Sequence, residues 1–390
     1  MNEVAHHLTE NVFPKVPVRQ WVISFPFSVR YVLAYKPALI TKLLGIYNRI
    51  ISNWYKKAAR REGVFHPETG CITFVQRFGS ALNLNVHFHT LFLDGVYTKI
   101  DEEYRFHPIV TLKDADIAVL VERISHRVTR LLKRNGFDID EIGEDPNGEE
   151  PALAQIAGAS ILNRSAIGDR AGKKVRKLGG SAERVYRLGK LCAVTEGFSL
   201  HARVRIGARA RRKLEKLCRY TARPPISLER LSKTPDGKLI YELKTKYNDG
   251  TSHVIFDPLE LIEKIVAIIP PARANLLRYH GVLAPNSKIR DKIVPAEKKN
   301  APKLPFPGQE KWAELLRKSF AIDILKCSQC GGKMKILVAI MDGRVIKAIL
   351  ENQGLPSEKP KLFPARAPPQ KESQSDFDFC QIPTNEDTFF

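Results

Sequence analysis

Apolar positions recur with period two along Ile72–Phe78 and again along Leu84–Phe92, and Gly79 to Asn83 between them read as a turn. Two strands paired around that turn make a hairpin. Arg19–Phe25 (RQWVISF) alternates in the same way and is closed by Pro26. Lys36–Arg61 carries its apolar residues at helical spacing and ends in a basic run before Gly63, which predicts one long amphipathic helix. Asp114–Asn135 predicts a second helix and Phe198–Val204 (FSLHARV) a further strand. A basic helix follows over about 208–219, and Pro224-Pro225 stops it. The order is strand, helix, two strands, helix, strand. That order predicts an α+β fold with an antiparallel, ferredoxin-like split βαβ sheet and helices on one face. Val96–Lys99 and Tyr104–Ile109 are expected to extend the sheet.

The same pattern divides the chain. Residues 1–14 read as a lead-in and 15–226 as the core. Within the core, 138–187 read as an insertion, because Asp138–Glu150 is acidic and rich in Gly and Pro, and Ala152–Arg187 is less regular. Leu239–Tyr247 and Ser252–Phe256 flank Asn248-Asp249-Gly250, a hairpin signal, and Leu259–Ile268 reads as a helix. These belong to a smaller C-terminal α+β region, 227–354. Ser287–Pro307 reads as a flexible arm, and 355–390, rich in Pro, Ser and charge, as a disordered tail.

Charge narrows the partner. Lys and Arg number 63 against 42 Asp and Glu, a net of +21 in 390 residues. The basic residues cluster, which points to a polyanionic partner, nucleic acid, with a merely soluble basic protein as the alternative. No apolar run is long enough to span a bilayer, and no secretory leader follows Met1, so no membrane partner is expected. Six scattered cysteines form no disulfide framework, which suits a reducing cytoplasm.

Candidate chemistry sits in the first hairpin. Side chains alternate between the faces of a strand, so His87 and His89 share a face while Phe88 turns to the other. Two imidazoles there make a chelate for a divalent cation. If the strands pair around Gly79–Asn83, Gln76 falls close to opposite His87, and its amide oxygen becomes a third ligand. The alternative is a half-buried polar stripe. Metal and polyanion together suggest phosphoryl transfer, by an activated water or by a side chain that becomes covalently attached. Tyr220 ends the basic helix among Lys213, Lys216 and Arg219, whose charges favour a phenolate; core packing is the bland alternative. Cys327 and Cys330 form one CxxC, half of a zinc site, with a plain turn as the alternative.

The run VQRFGSALNLNVHFHTLFLDGVY is similar to the metal motif of the HUH endonucleases, named for His–hydrophobe–His. With GFSLHARVRIG, LEKLCRYTARPPIS and RYHGVLAPN, it resembles the rolling-circle transposases of the insertion sequence 91 family from roughly Val16 to Gly354. The resemblance implies an enzyme that nicks one strand at transposon ends. A tyrosine keeps the 5′ end as a phosphotyrosine, and Mg²⁺ or Mn²⁺ polarises the phosphate. His87 and His89 match the HUH pair, Gln76 sits where relatives carry Gln or His, and Tyr220 matches the nucleophile. Many relatives carry a second tyrosine where this chain has Lys216, so it looks like the one-tyrosine branch, similar to common-region insertion elements. The cysteine-rich zinc-binding domain that often begins the family is expected to be absent.

His201 is read as a DNA contact or a metal-site neighbour, with a plain polar strand residue as the alternative, and Tyr279-His280 as a loop near DNA. Arg203, Arg205, Arg209, Arg211, Arg212, Lys213 and Arg219 are read as phosphate contacts beside Tyr220. Single-stranded DNA and a bacterial, nucleoid-associated location are expected. The rival readings are a DNA-binding remnant that does not cut and a rolling-circle replication initiator.

Overall fold

The computed structural model describes residues 2–137, 152–179, 189–247, 249–272, 274–295, 327, 330–332, 342–355 and 357. The chain runs through α1 (Asn2–His7), a π-helical turn (Leu8–Val12), β1 (Val18–Ser24), α2 (Phe27–Tyr35), α3 (Ala38–Arg61), β2 (Gly70–Phe78), β3 (Leu84–Leu93), β4 (Gly95–Ile100) and β5 (Glu103–Pro108). Then come α4 (Asp114–Arg134), α5 (Ala152–Ile161), β6 (Arg176–Leu178), β7 (Cys192–Thr195), β8 (Phe198–His201), β9 (Arg205–Ile206) and α6 (Arg211–Thr221). Last are β10 (Leu231–Lys233), β11 (Leu239–Glu242), β12 (His253–Phe256), α7 (Pro258–Ile268), β13 (Leu277–Gly281), α8 (Arg290–Ile293) and α9 (Gly343–Asn352).

The main sheet has the order β13-β2-β3-β1-β8-β7, with β9 also paired to β1. Its centre, β2-β3-β1-β8, is antiparallel throughout. This is the strand order of a ferredoxin-like split βαβ unit, so the α+β expectation holds. One face carries Trp21, Ile23, Phe25, Val75, Phe88 and Phe92 into a core shared with α3 and α4. There the Trp21 ring meets Trp54, Tyr55 and Phe92 edge-on, with centroids 6.1–6.3 Å apart.

On the opposite face the strands run from apolar to polar. Ile72 and Phe74 precede Gln76, and Leu93 and Leu91 give way to His89 and His87. The apolar half is covered by Leu214, Leu217 and Cys218 of α6 and by Ala5, Leu8, Val12 and Phe13 of the N-terminal segment. Each fully buried leucine here contributes roughly 1.5–3 kcal/mol. Arg211 donates to the carbonyls of Phe13 (3.1 Å) and Pro14 (3.3 Å), which ties the start of α6 to that segment. With α6 seated on the apolar half, its last turn projects over the polar half.

A second sheet, β10-β11-β12-β6, packs Tyr241, Val254 and Phe256 against Ala81 and Leu82 at the tip of the β2–β3 hairpin. Leu82 holds a left-handed backbone (φ 58) that a leucine adopts only under constraint, and its complete burial supplies that constraint. Ser80 Oγ donates to the Tyr247 hydroxyl (3.1 Å) at the same tip. On α7, Glu263 accepts from the backbone amides of Ala166 (2.7 Å) and Ile167 (3.3 Å), fixing the segment before β6.

One expectation is met closely and three are corrected. The long amphipathic helix expected over 36–61 is α3, which starts after Pro37, and α2 ahead of it is a further helix whose period its flanking prolines mask. Val96–Lys99 and Tyr104–Ile109 do not extend the main sheet; β4 and β5 pair with each other as a separate ladder. The turn away is fixed at Asp94, whose amide donates to the Pro17 carbonyl (2.8 Å). Residues 152–161, expected to be irregular, are a helix buried along most of its length. Tyr279 and His280 lie in strand β13, paired with Ile72 and Cys71 of β2, and not in a loop. The linker at 138–150, most of the arm at 296–307 and nearly all of the 355–390 tail lie outside the described residues. Among the described residues no helix is long and apolar enough to cross a membrane.

Candidate active site

Strand pairing puts Gln76 directly opposite His87, and Phe74 opposite His89. His87 and His89 are both buried, with their Nε2 atoms 3.1 Å apart. The outer nitrogens set the tautomers. His87 Nδ1 lies 2.8 Å from the Asn85 carbonyl, which can only accept, so Nδ1 carries the hydrogen and Nε2 the lone pair. Gln20 Nε2 donates to His89 Nδ1 (2.8 Å), so the His89 hydrogen sits on Nε2 and bridges to His87. Turning the Gln20 amide over would present its oxygen to Nδ1 and leave both Nε2 lone pairs facing inward.

Electrostatics keep these rings neutral. Burial pushes His87 down to about 4, with Arg223 and Arg30 adding to the effect. His89 falls well below the ordinary value through burial, then the charges of His87, Arg223 and His201. Neutral imidazoles are the ligand form. Gln76 Nε2 donates to the Thr221 carbonyl (2.7 Å), while its Oε1 is buried with no hydrogen-bond partner among the described residues. An orphaned amide oxygen beside two converging imidazoles fits a divalent cation. The Nε2 separation is also what two nitrogens about 2.1 Å from one ion would show. Among the described residues no group of three His, Cys, Asp or Glu side chains could hold a metal, so a site here needs the Gln76 amide.

Tyr220 comes to this pair. Its ring meets the His89 ring edge-on, with centroids 6.0 Å apart. The Arg223 guanidinium and the Lys244 ammonium each lie 4.6 Å from the Tyr220 ring centroid. Lys216, one turn back on α6, is exposed. His201 lies two strands from His89, through Val22 of β1, with Nδ1 buried and unpartnered among the described residues. Burial and the charge of Arg203 push His201 down to about 4.

The basic residues divide. Arg205 Nε donates to Asp94 (2.6 Å), Arg211 to backbone carbonyls, and Arg219 to Glu215 (2.9 Å). Arg209, Arg212 and Lys213 are exposed, and Arg203 is half-buried. Asp94, at the end of β3, accepts from Arg19 Nε (2.8 Å) and the Tyr55 hydroxyl (3.0 Å) as well as Arg205. It is an anchor for the sheet. The Gly331 amide donates to the Cys327 carbonyl (2.9 Å) and the Cys327 amide to the Gly332 carbonyl (2.9 Å); residues 328–329, between Cys327 and Cys330, lie outside the described set.

Sequence reading did not single out Gln20, Arg223, Arg230 or Lys244. Arg223, three residues past Tyr220, had a local signal as the next helix-end cation. Gln20 and Lys244 had none, because they arrive from another strand and another sheet.

The family described as "Putative transposase" matches residues 70–290, more than half of the chain. The chain belongs to this transposase family. The match runs from the first residue of β2 to the first residue of α8, and so takes in Gln76, His87, His89, Tyr220 and Lys244. No curated protein matches the chain significantly, and neither does any solved structure. A transposase binds and processes DNA, which accounts for the net charge of +21.

Proposed function

We propose that this transposase nicks one DNA strand at transposon ends with Tyr220 as the nucleophile, at an HUH-type site made of His87, His89 and Gln76. The observation that carries the reading is the Tyr220 ring, 6.0 Å from the His89 ring and beside the paired Gln76 and His87. Tyr220 Oη bonds to phosphorus and loses its proton to solvent. The bond from phosphorus to the 3′ oxygen breaks, and that oxygen takes up a proton as a free 3′-OH. The 5′ end stays on the protein as a phosphotyrosine, and attack by a 3′-OH reverses the step and joins strands. A divalent ion held by His87, His89 and Gln76, Mg²⁺ or Mn²⁺, would withdraw charge from the phosphate. Arg223 and Lys244 favour the charge that develops on the Tyr220 oxygen.

The finer reading is rolling-circle transposition on single-stranded ends, as in the one-tyrosine relatives of insertion sequence 91. Single tyrosine use follows from Lys216 standing where a second tyrosine would be. The test is incubation with labelled single-stranded element ends and Mn²⁺, followed by denaturing gels and peptide mapping. A covalent adduct on the Tyr220 peptide is expected, lost in Tyr220→Phe. Cleavage should also be lost in a His87→Ala, His89→Ala double variant that still binds DNA. An adduct that survives Tyr220→Phe overturns the reading.

A further inference from the structure

Tyr220 is flanked from a second sheet. Lys244 follows β11 of the small sheet, yet its Nζ stands 4.6 Å from the Tyr220 ring centroid. Arg230, which precedes β10, donates to the Tyr241 hydroxyl (2.8 Å) with its guanidinium 4.9 Å from that ring's centroid. Arg223 stands over Tyr220 from α6's own end of the chain. These three cations are near enough to act on one another. Burial first, then the charges of Arg223 and Arg230, hold the Lys244 ammonium below its ordinary value. Among the described residues no carboxylate pairs with any of the three, and Arg223 Nε is buried without a hydrogen-bond partner. Like charges gathered without a counter-charge repel one another, and the arrangement is relieved when a polyanion enters.

We propose that Lys244 binds the phosphate of the linkage that Tyr220 attacks, so that the small sheet completes the nuclease site. This inference rests on Tyr220 as the nucleophile. A cation over a phenol ring is also a modest packing contact by itself. Two features exceed that reading. The ring in question bears the reacting oxygen, and a lysine on a flexible four-carbon stem can move from the ring face to a phosphate bonded in line with that oxygen. The placement is also indexed to the site. The hairpin that carries Gln76 and His87 buries its tip, Ala81 and Leu82, in the small sheet's core, and Ser80 bonds Tyr247 close by. One hairpin therefore sets the distance between the histidine pair and Lys244.

The test measures binding of two single-stranded oligonucleotides without divalent metal, across a range of salt. One has the natural phosphate at the linkage mapped by adduct formation; the other has a neutral methylphosphonate there. Lys244→Gln should weaken binding of the natural strand about tenfold and lower the salt slope by about 0.7, the share of one phosphate contact on a single strand. The methylphosphonate should weaken wild-type binding to the same extent and weaken Lys244→Gln no further. Lys244→Arg should restore most of the loss, and Lys246→Gln, two residues further along the same segment, should behave as wild type. Additive losses from the variant and the neutral linkage overturn the proposal, as does an equal effect from Lys246→Gln. An adduct persisting in Tyr220→Phe removes the nucleophile instead. Additive losses alongside an adduct-dead Tyr220→Phe remove only the role of Lys244.

Discussion

Gln76 faces His87 across the β2–β3 ladder, and the ladder slips register immediately after that pair. The two ends of the Gln76 amide do different things. The nitrogen holds the carbonyl of Thr221, the residue after Tyr220, and the oxygen is left beside the imidazoles. One side chain thus ties the nucleophile's helix to the histidine pair.

Gln76→Glu separates those tasks. A carboxylate adds charge beside the imidazoles but cannot donate to the Thr221 carbonyl. Mn²⁺ affinity by titration calorimetry should rise, while the rate of adduct formation falls. A variant faster in both would mean that the Thr221 bond positions nothing.

Gln20 reaches the outer nitrogen of His89, and with its amide turned over it would hold the hydrogen there and free Nε2 for a metal. Gln20→Leu should lower Mn²⁺ affinity roughly 10–100-fold, the usual effect of losing a partner behind a metal-ligating histidine. DNA binding without metal should be unchanged. Unaltered calorimetry would sink this.

Stability should depend on pH through the buried histidines. His87 and His201 are pushed down to about 4 when folded, against about 6.5 in the unfolded chain. Above the unfolded value neither state protonates them, and the full stability is present. As pH falls from about 6.5 to about 4, only the unfolded chain takes up these protons, so stability is lost across that window. The loss is on the order of 3 kcal/mol per histidine. Urea unfolding should show it, and His201→Gln should flatten the dependence. An unchanged slope in that variant contradicts the assignment.

Asp94 is fully enclosed by the groups it binds, Arg19, Arg205 and Tyr55. Asp94→Asn leaves the buried Arg19 without its counter-charge and should cost about 3–5 kcal/mol. A loss of under about 1 kcal/mol in urea unfolding would show that Arg19 finds another partner.

The parts of the site that could be read from sequence are those fixed by local periodicity. Alternation alone puts His87 and His89 on one face, and the short turn puts Gln76 across from His87. What escaped was brought in by tertiary closure. Arg205 pairs with a carboxylate 111 residues earlier, so its place beside Tyr220 could not reveal that its charge was already engaged. Lys244 and Gln20 carry no motif. Helix α2 escaped because its bounding prolines resemble loop punctuation, although its Arg30 donates to Asn85 (3.4 Å) beside the histidines. The β4–β5 hairpin alternates as any sheet strand does, and period alone cannot say which sheet a strand joins.

Strand β2 is buried along its whole length, and among the described residues its outer edge is closed by β13, whose residues pair with it across about two hundred positions of sequence. During synthesis that edge stays open until Leu277–Gly281 has left the ribosome. For about half of translation the nascent chain therefore presents an unpaired, apolar strand edge, the feature most prone to pair with a neighbouring molecule. Chains stopped before residue 277 should sediment as aggregates where the 390-residue chain does not. Production of this transposase in the cell is in that sense gated by its last core strand, well after its nucleophile has been made.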